Sequence, residues 1–254
     1  MMPYIVTSFG KISTFTIMLV CGVLVMFLLV HIRLRKDPSR GNEEAFIFPQ
    51  IVFCGMAGFL WAAVFDSVFK FQENGGFVLK GITFYGGLLG ASITLSLILH
   101  LTKCKTGYTI NDWFSNLTIP FMGFHICGRI GCFLSGCCYG KITDSFVGVY
   151  FPDIPQYGIY HGGMKCYPTQ LFEVAALLVI LAVVIKVRKR FQTYLFLYAV
   201  ARFLIEFYRG DDRGNFFGPI SPAQTISIVI VLSFVGVRLG GYLKSNRIVL
   251  EIEK

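Results

Sequence analysis

The chain has 254 residues, of which 55% are hydrophobic and only 15% charged, and it carries a net charge of +9 with a mean hydropathy of +0.66. A soluble domain keeps about a quarter of its residues charged to cover its surface, so a soluble enzyme, a disordered chain, a disulfide scaffold and a soluble nucleic-acid binder are all disfavoured. The charges instead cluster between long apolar runs, the pattern of an all-α integral membrane protein.

Seven segments have, or nearly have, the length a helix needs to cross about 30 Å of hydrocarbon. They lie near 12–31, 46–70, 82–101, 112–134, 169–186, 192–208 and 221–240. The first outlasts the apolar core of a signal peptide, lacks a small-x-small exit and runs into basic residues, so it reads as a transmembrane helix. In the third, YGGLLGA places Gly86 and Gly90 in a GxxxG pattern suited to close helix packing. The long connection at 140–168 contains Pro152, Pro155, Gly158, Gly162, Gly163 and Pro168. These breakers predict a small extracytoplasmic cap within a single transmembrane domain spanning 1–254. No repeat of fixed period is visible, which argues against an inverted-repeat transporter.

Arg33, Arg35, Lys36, Arg40, Lys103, Lys105, Lys186, Arg188, Lys189, Arg190, Arg238, Lys244, Arg247 and Lys254 fall in alternate loops, fourteen of the 23 basic residues. The positive-inside rule then predicts a cytoplasmic C-terminus, an outside N-terminus and an outside 140–168 loop.

Eight cysteines are present: Cys21, Cys54, Cys104, Cys127, Cys132, Cys137, Cys138 and Cys166. Cys132 and Cys137 have a spacing that zinc sites use. Adjacent Cys137 and Cys138 are nevertheless not expected to reach one tetrahedral ion together, and only His125 or His161 could complete the set, so no metal is expected. A disulfide from the 132–138 stretch to Cys166 is an alternative, and packing of small soft side chains is favoured over it.

Charged groups inside apolar stretches carry the chemistry, since each costs several kcal/mol unless it is paired or lines a wet cavity. Arg129, Glu173, Arg202, Glu206 and Arg209 qualify, with Asp66 a weaker sixth. Tyr198, Arg202, Glu206 and Arg209 recur at helical spacing and are expected on one face. An internal ion-pair ladder would explain them structurally. The functional reading is an outward-facing cavity for an anion, and phosphate fits because guanidinium stays protonated and presents a planar fork to its oxygens. Gly128, Gly131, Gly136 and Gly140 would let backbone approach such a head group, or would serve helix packing.

Four ordered blocks now carry a family resemblance. GRIGCFLSGCCYG (128–140) resembles the signature stretch of bacterial prolipoprotein diacylglyceryl transferases, roughly Gly-Arg-x-x-Asn-Phe-x-Asn-Gly-Glu-x-x-Gly, with a CCYG-type ending in some members. FYGGLLGA (84–91) is similar to the family's His-Gly-Gly-Leu-x-Gly block. YPTQLFE (167–173) is similar to its His-Pro-Ser-Gln-Leu-Tyr-Glu block, and RFLIEFYRGDDRG (202–214) to its Arg-Phe-x-x-Glu-Phe-x-Arg block, followed by SPAQ. The similarity spans about residues 12 to 240.

The resemblance implies transfer of the diacylglyceryl group of phosphatidylglycerol to the lipobox cysteine of a prolipoprotein signal peptide, the first step of lipoprotein maturation. It implies a multi-pass protein of the bacterial cell membrane that needs no cofactor, metal or nucleic acid. By position it assigns Arg129 to phosphatidylglycerol and Arg202 as a second essential arginine, with Tyr198, Glu206, Gly140, Gly86 and Gly87 on family positions and Arg209 beside them as substrate-binding candidates. Departures occur at Tyr85 for the usual histidine, Phe15 for a tyrosine, Cys132 for the signature asparagine and Cys137 for its glutamate. His125, one turn before Arg129, is a candidate replacement base, and Tyr85 a candidate phosphate donor. The alternatives are a lipid-binding paralogue without transfer, or a seven-helix transporter of a small organic anion.

Overall fold

A computed structural model describes residues 2–7, 10–35, 43–69, 71, 75–79, 83–101, 109–151, 153, 163–210 and 220–252, with the backbone alone for 43–46 and 241–252. Cys104, His161, Lys36, Arg40, Lys103, Lys105 and Lys254 lie outside the described residues. Strands β1 (Tyr4–Thr7) and β2 (Gly10–Ser13) form an antiparallel hairpin that leads into α1 (Thr14–Arg35). There follow α2 (Glu43–Phe69), α3 (Phe84–Leu101) and α4 (Ile110–Ser135). After a hairpin of β3 (Val149–Phe151) and β4 (Met164–Cys166) come α5 (Thr169–Val184), α6 (Arg190–Glu206) and α7 (Pro222–Ile252). All seven expected helices are present.

Five of them, α1, α2, α3, α4 and α7, contain stretches long and apolar enough to cross a membrane. At 1.5 Å per residue the 22 residues of α1 span about 33 Å, enough for the hydrocarbon core. The other two are shorter, at 16 and 17 residues, and carry the buried Glu173, Arg202 and Glu206. The molecule is an all-α membrane protein, turned inside out relative to a soluble fold. Leu24, Leu28, Phe53, Phe59, Leu178, Val179 and Leu232 are exposed, while Arg129, Glu173, Arg202 and Glu206 are buried. Lipid tails solvate that outer face at no cost, and polar groups gather where protein surrounds them.

Small residues set the helix pairs. Helix α3 lies along α2, and a Cβ added at Gly86 would sit 2.6 Å from the Phe65 Cβ; at Gly90 it would sit 2.3 Å from the Trp61 Cβ. Helix α1 lies along α4, where Gly22 faces Phe124 and Gly131 faces Met18. Helix α4 opens with a capping box in which the Thr109 and Asp112 side chains satisfy each other's backbone N–H, and it stops at Gly136, whose left-handed φ of 79° no β-carbon obstructs.

All seven helices depart from their expected bounds, α1 running to Arg35 rather than 31, and two of the departures have a visible cause. Helix α6 ends at Glu206 rather than 208, because the following backbone turns into a seam with the 140 region: Lys141 N–H donates to the Tyr208 carbonyl at 2.8 Å and Gly210 N–H to that of Tyr139 at 3.3 Å. Helix α7 continues past 240 to Ile252, since no proline interrupts the run after Pro222.

Candidate functional site

One end of the bundle collects the chemistry. It brings together the start of α3, the last turns of α4, the start of α5, the end of α6 and the start of α7. The connection between α4 and α5 crosses this same end, and the N-terminal hairpin joins it where Met2 N–H donates to the Leu134 carbonyl at 3.2 Å.

Glu173 is the hub. Fully buried at 0% exposure, it offers Oε1 to the Arg129 Nε at 2.9 Å and accepts a hydrogen bond from the Tyr198 hydroxyl on the same oxygen. His125 Nε2 stands 3.7 Å from that oxygen, while its Nδ1 is 3.1 Å from the Tyr194 hydroxyl. The His125 ring stacks on Phe84 with centroids 4.1 Å apart, and the Arg129 guanidinium carbon lies 5.8 Å from the same Phe84 ring. Tyr194 and Tyr198 stack one turn apart on α6 and close the aromatic wall.

A second pair stands on α6. Arg202, 2% exposed, lies 2.5 Å from Glu206 Oε2 through Nη1, an ion pair without hydrogen-bond alignment. Arg209 reaches the same carboxylate oxygen at 3.9 Å from beyond the helix end. Ser221 Oγ donates to Glu206 Oε1 at 2.8 Å, and Ser221 and Gln224 exchange bonds at the mouth of α7. Arg202 acts electrostatically on both Glu173 and Tyr198, so the two pairs belong to one site.

Both expected arginines therefore have carboxylate partners, and the expected excess of positive charge is reduced accordingly. What remains among the described residues of this site is Glu173 Oε2 and His125 Nε2, buried atoms with no hydrogen-bond partner. Such atoms are rare in a native interior.

The remaining candidates divide. Gly140 is a structural pivot, since an added Cβ would lie 2.6 Å from the Tyr208 carbonyl oxygen and 2.7 Å from that of Tyr167, and its backbone forms a bridge to Arg209. At Gly86 the space a side chain would occupy is filled by Phe65 and Thr83, and at Gly87 an added Cβ would touch Gly58 and Ala62, so both glycines serve the packing of α3 on α2. Tyr85 is buried with its hydroxyl 2.9 Å from Ser227 Oγ, a bond that ties α3 to α7. His125 is enclosed by Phe84, Tyr194 and Tyr198, which hold its ring in place. Gly128 alone among the signature glycines faces open space, with nothing within 4 Å of an added Cβ.

Tyr194, Ser221 and Gln224 join the site beyond the expected set, and Glu173, expected as a buried charge, stands at its centre. The signal for Glu173 was its charge in an apolar run, and that for Ser221 and Gln224 the SPAQ block. Tyr194 carried none beyond its place one turn before Tyr198.

The cysteines also depart from expectation. The sulfurs of Cys132, Cys137 and Cys138 all lie within 4.8 Å of one another. Cys138 adopts a left-handed φ of 65°, which turns the two adjacent side chains toward the same side. Cys166 stands outside this cluster as a buried free thiol, its burial pushing the thiol pKa up.

The family model described as Prolipoprotein diacylglyceryl transferase matches residues 3–239. A phosphatidylglycerol–prolipoprotein diacylglyceryl transferase 2 of Clostridium perfringens is 30% identical over 244 residues, covering 87% of this chain and 88% of the relative. A transferase of the same name from Clostridium tetani is 30% identical over 254 residues, covering 91% and 94%. One from Francisella tularensis subsp. novicida is 26% identical, covering 93% and 91%. With a match over nearly its whole length, and with the blocks that build the two arginine–glutamate pairs in family order, the chain belongs to the prolipoprotein diacylglyceryl transferase family.

Proposed function

We propose that the chain transfers the diacylglyceryl group of phosphatidylglycerol to the cysteine thiol of a prolipoprotein lipobox. The observation that carries this reading is the pairing of Arg129 with Glu173 and of Arg202 with Glu206 at one end of the bundle, beside a Glu173 Oε2 that has no hydrogen-bond partner among the described residues.

Glu173 takes Arg129 through Nε, which leaves the two η nitrogens as the edge able to fork onto a phosphate. In the reaction a carbon–sulfur bond forms at the glycerol carbon as its carbon–oxygen bond to phosphate breaks. The electron pair leaves on the oxygen of glycerol phosphate. Charge therefore grows on the phosphate, and guanidinium groups already held by carboxylates stabilise the transition state without reorganising. The acceptor thiol gives its proton to water: a thiol of pKa about 8.5 is a few per cent ionised near neutrality and intrinsically nucleophilic. His125 and Tyr85 then act as positioning residues, the first beside Glu173 and the second anchoring α3 to Ser227.

The orientation follows from the loop charges. Arg33, with its Nη2 donating to the Asn116 Oδ1 at 2.7 Å, marks the end of the bundle away from the site. We place that basic end in the cytoplasm with the C-terminus, and the site, the N-terminus and the 140–168 cap outside, where exported prolipoproteins arrive.

Incubating the purified protein with phosphatidylglycerol and a lipobox peptide, then weighing the peptide, tests the reading. A diacylglyceryl mass increment is expected. Lipid bound without the increment would indicate a binding paralogue, and neither would leave the transporter reading.

A further inference from the structure

The thiol cluster at the end of α4 is not used by the reaction described above, and its construction calls for an explanation. Cys132 sits in the last turn of α4; Cys137 and Cys138 follow the Gly136 cap. Adjacent residues of an extended chain point to opposite sides, yet the left-handed Cys138 brings both sulfurs within 4.8 Å of Cys132 and of each other.

That conformation costs a residue bearing a Cβ about 1–2 kcal/mol, and it persists only where neighbours enforce it. Here they do. Gln170 Nε2 donates to the Cys137 carbonyl at 2.5 Å, Thr169 Oγ1 donates to the Cys138 carbonyl at 2.7 Å, and Cys137 N–H closes onto the Cys132 carbonyl at 3.1 Å. Thr169 and Gln170 are themselves completely buried. The start of α5 is thus a clamp that holds a strained turn carrying two cysteines against a third.

Packing of apolar side chains does not account for the arrangement, because Cys137 is exposed and removes little surface from water. Ion geometry does. Three thiolates around zinc at about 2.3 Å stand about 3.8 Å apart, so rotations that shorten the observed separations by roughly 1 Å close the site. The donor set is all sulfur, which selects thiophilic ions over calcium or magnesium. Three thiolates on a divalent ion leave one negative charge, and Arg129, which already acts electrostatically on Cys132 and Cys138, offsets it.

We propose that Cys132, Cys137 and Cys138 form a three-sulfur binding site for a thiophilic metal ion, with the exposed Cys137 side as its entrance and a fourth position open to solvent. The ion ties the end of α4 to the turn that α5 clamps. This inference does not depend on the transfer reaction.

The test uses the full chain, purified in detergent, reduced and stripped of metal, then titrated with Cd2+ and Zn2+. A cadmium–thiolate charge-transfer band saturating at one ion per chain is expected, with Zn2+ displacing Cd2+ at the same stoichiometry. Cys137→Ser, at an exposed position, should weaken binding at least about a hundredfold, since loss of a direct ligand exceeds the cost of losing an outer-shell partner. Cys21→Ser, at an exposed position on α1, should leave it unchanged. In the unaltered protein, saturating Zn2+ should slow alkylation of Cys137 but not of Cys21, read by peptide mass spectrometry. No charge-transfer band, equal affinity in Cys137→Ser, or equal alkylation with and without Zn2+ would each overturn the proposal.

Discussion

Arg129 and Glu173 are joined by a 2.9 Å bond between Nε and Oε1 deep inside an apolar bundle, although they come from different helices. The bond fixes the plane of the guanidinium as well as its position. A lysine at 129 would keep the charge and lose the plane. Arg129→Lys is therefore expected to cut peptide lipidation by about a hundredfold or more, equivalent to about 2.7 kcal/mol of barrier, in protein that still inserts into membranes. Near-normal transfer would return Arg129 to the role of helix-packing counter-ion.

Removing the other partner tests the hub. Glu173→Gln leaves a buried guanidinium without its carboxylate, a change that typically costs about 3–5 kcal/mol. A lowered melting temperature in detergent is expected together with lost turnover. Tyr198→Phe removes one bond to the same oxygen and should cost about 1–3 kcal/mol. The double variant should be less damaged than the sum of the singles, because both act on one carboxylate.

Arg202 should couple to Arg129 in the same way. Arg202→Ala is expected to lower turnover at least about a hundredfold. Combined with Arg129→Lys it should fall short of the product of the two losses, since both groups serve one phosphate. Full multiplicativity would show that the two arginines act on different groups. Glu206→Gln should do less harm, because Ser221 still holds the side chain and only the orientation of Arg202 and Arg209 is loosened.

Gly140→Ala tests the seam. The new methyl would stand 2.6 Å from the Tyr208 carbonyl oxygen, which is backbone and cannot swing away. A loss of about 1–3 kcal/mol is expected, read as a lower unfolding temperature and as protease access between β4 and the end of α6. Gly128→Ala, which meets nothing within 4 Å, is the control and should leave stability unchanged.

Orientation is checked with reporter fusions. One after Lys254 is expected to report cytoplasm and one within 158–163 the opposite side; reversed signals would overturn the proposed topology.

The helices were legible because an apolar run of membrane length has few other folds open to it, as in the residues of α1 and α3. The buried charges were legible for the same reason: Arg129 and Glu173 stand out against their neighbours. Their pairing was not, since it is made by α4 and α5 meeting across a connection of many residues, and no local pattern encodes which carboxylate a guanidinium will face. The end of α6 was misplaced by two residues because helical spacing carries through to Arg209, and only the tertiary seam with Lys141 stops it. The clustering of the three cysteines was not legible, because it depends on a left-handed turn at Cys138 whose carbonyl and that of Cys137 are held by Thr169 and Gln170 from another helix.

The length of α7 has a mechanical consequence. Its 31 residues make a rod of about 46 Å, against a hydrocarbon core of about 30 Å. Fitting the whole rod inside would need a lean of nearly 50°, beyond the roughly 40° limit of known spans. The far portion of the rod therefore emerges from the hydrocarbon core as a helical mast rising through the phospholipid headgroups.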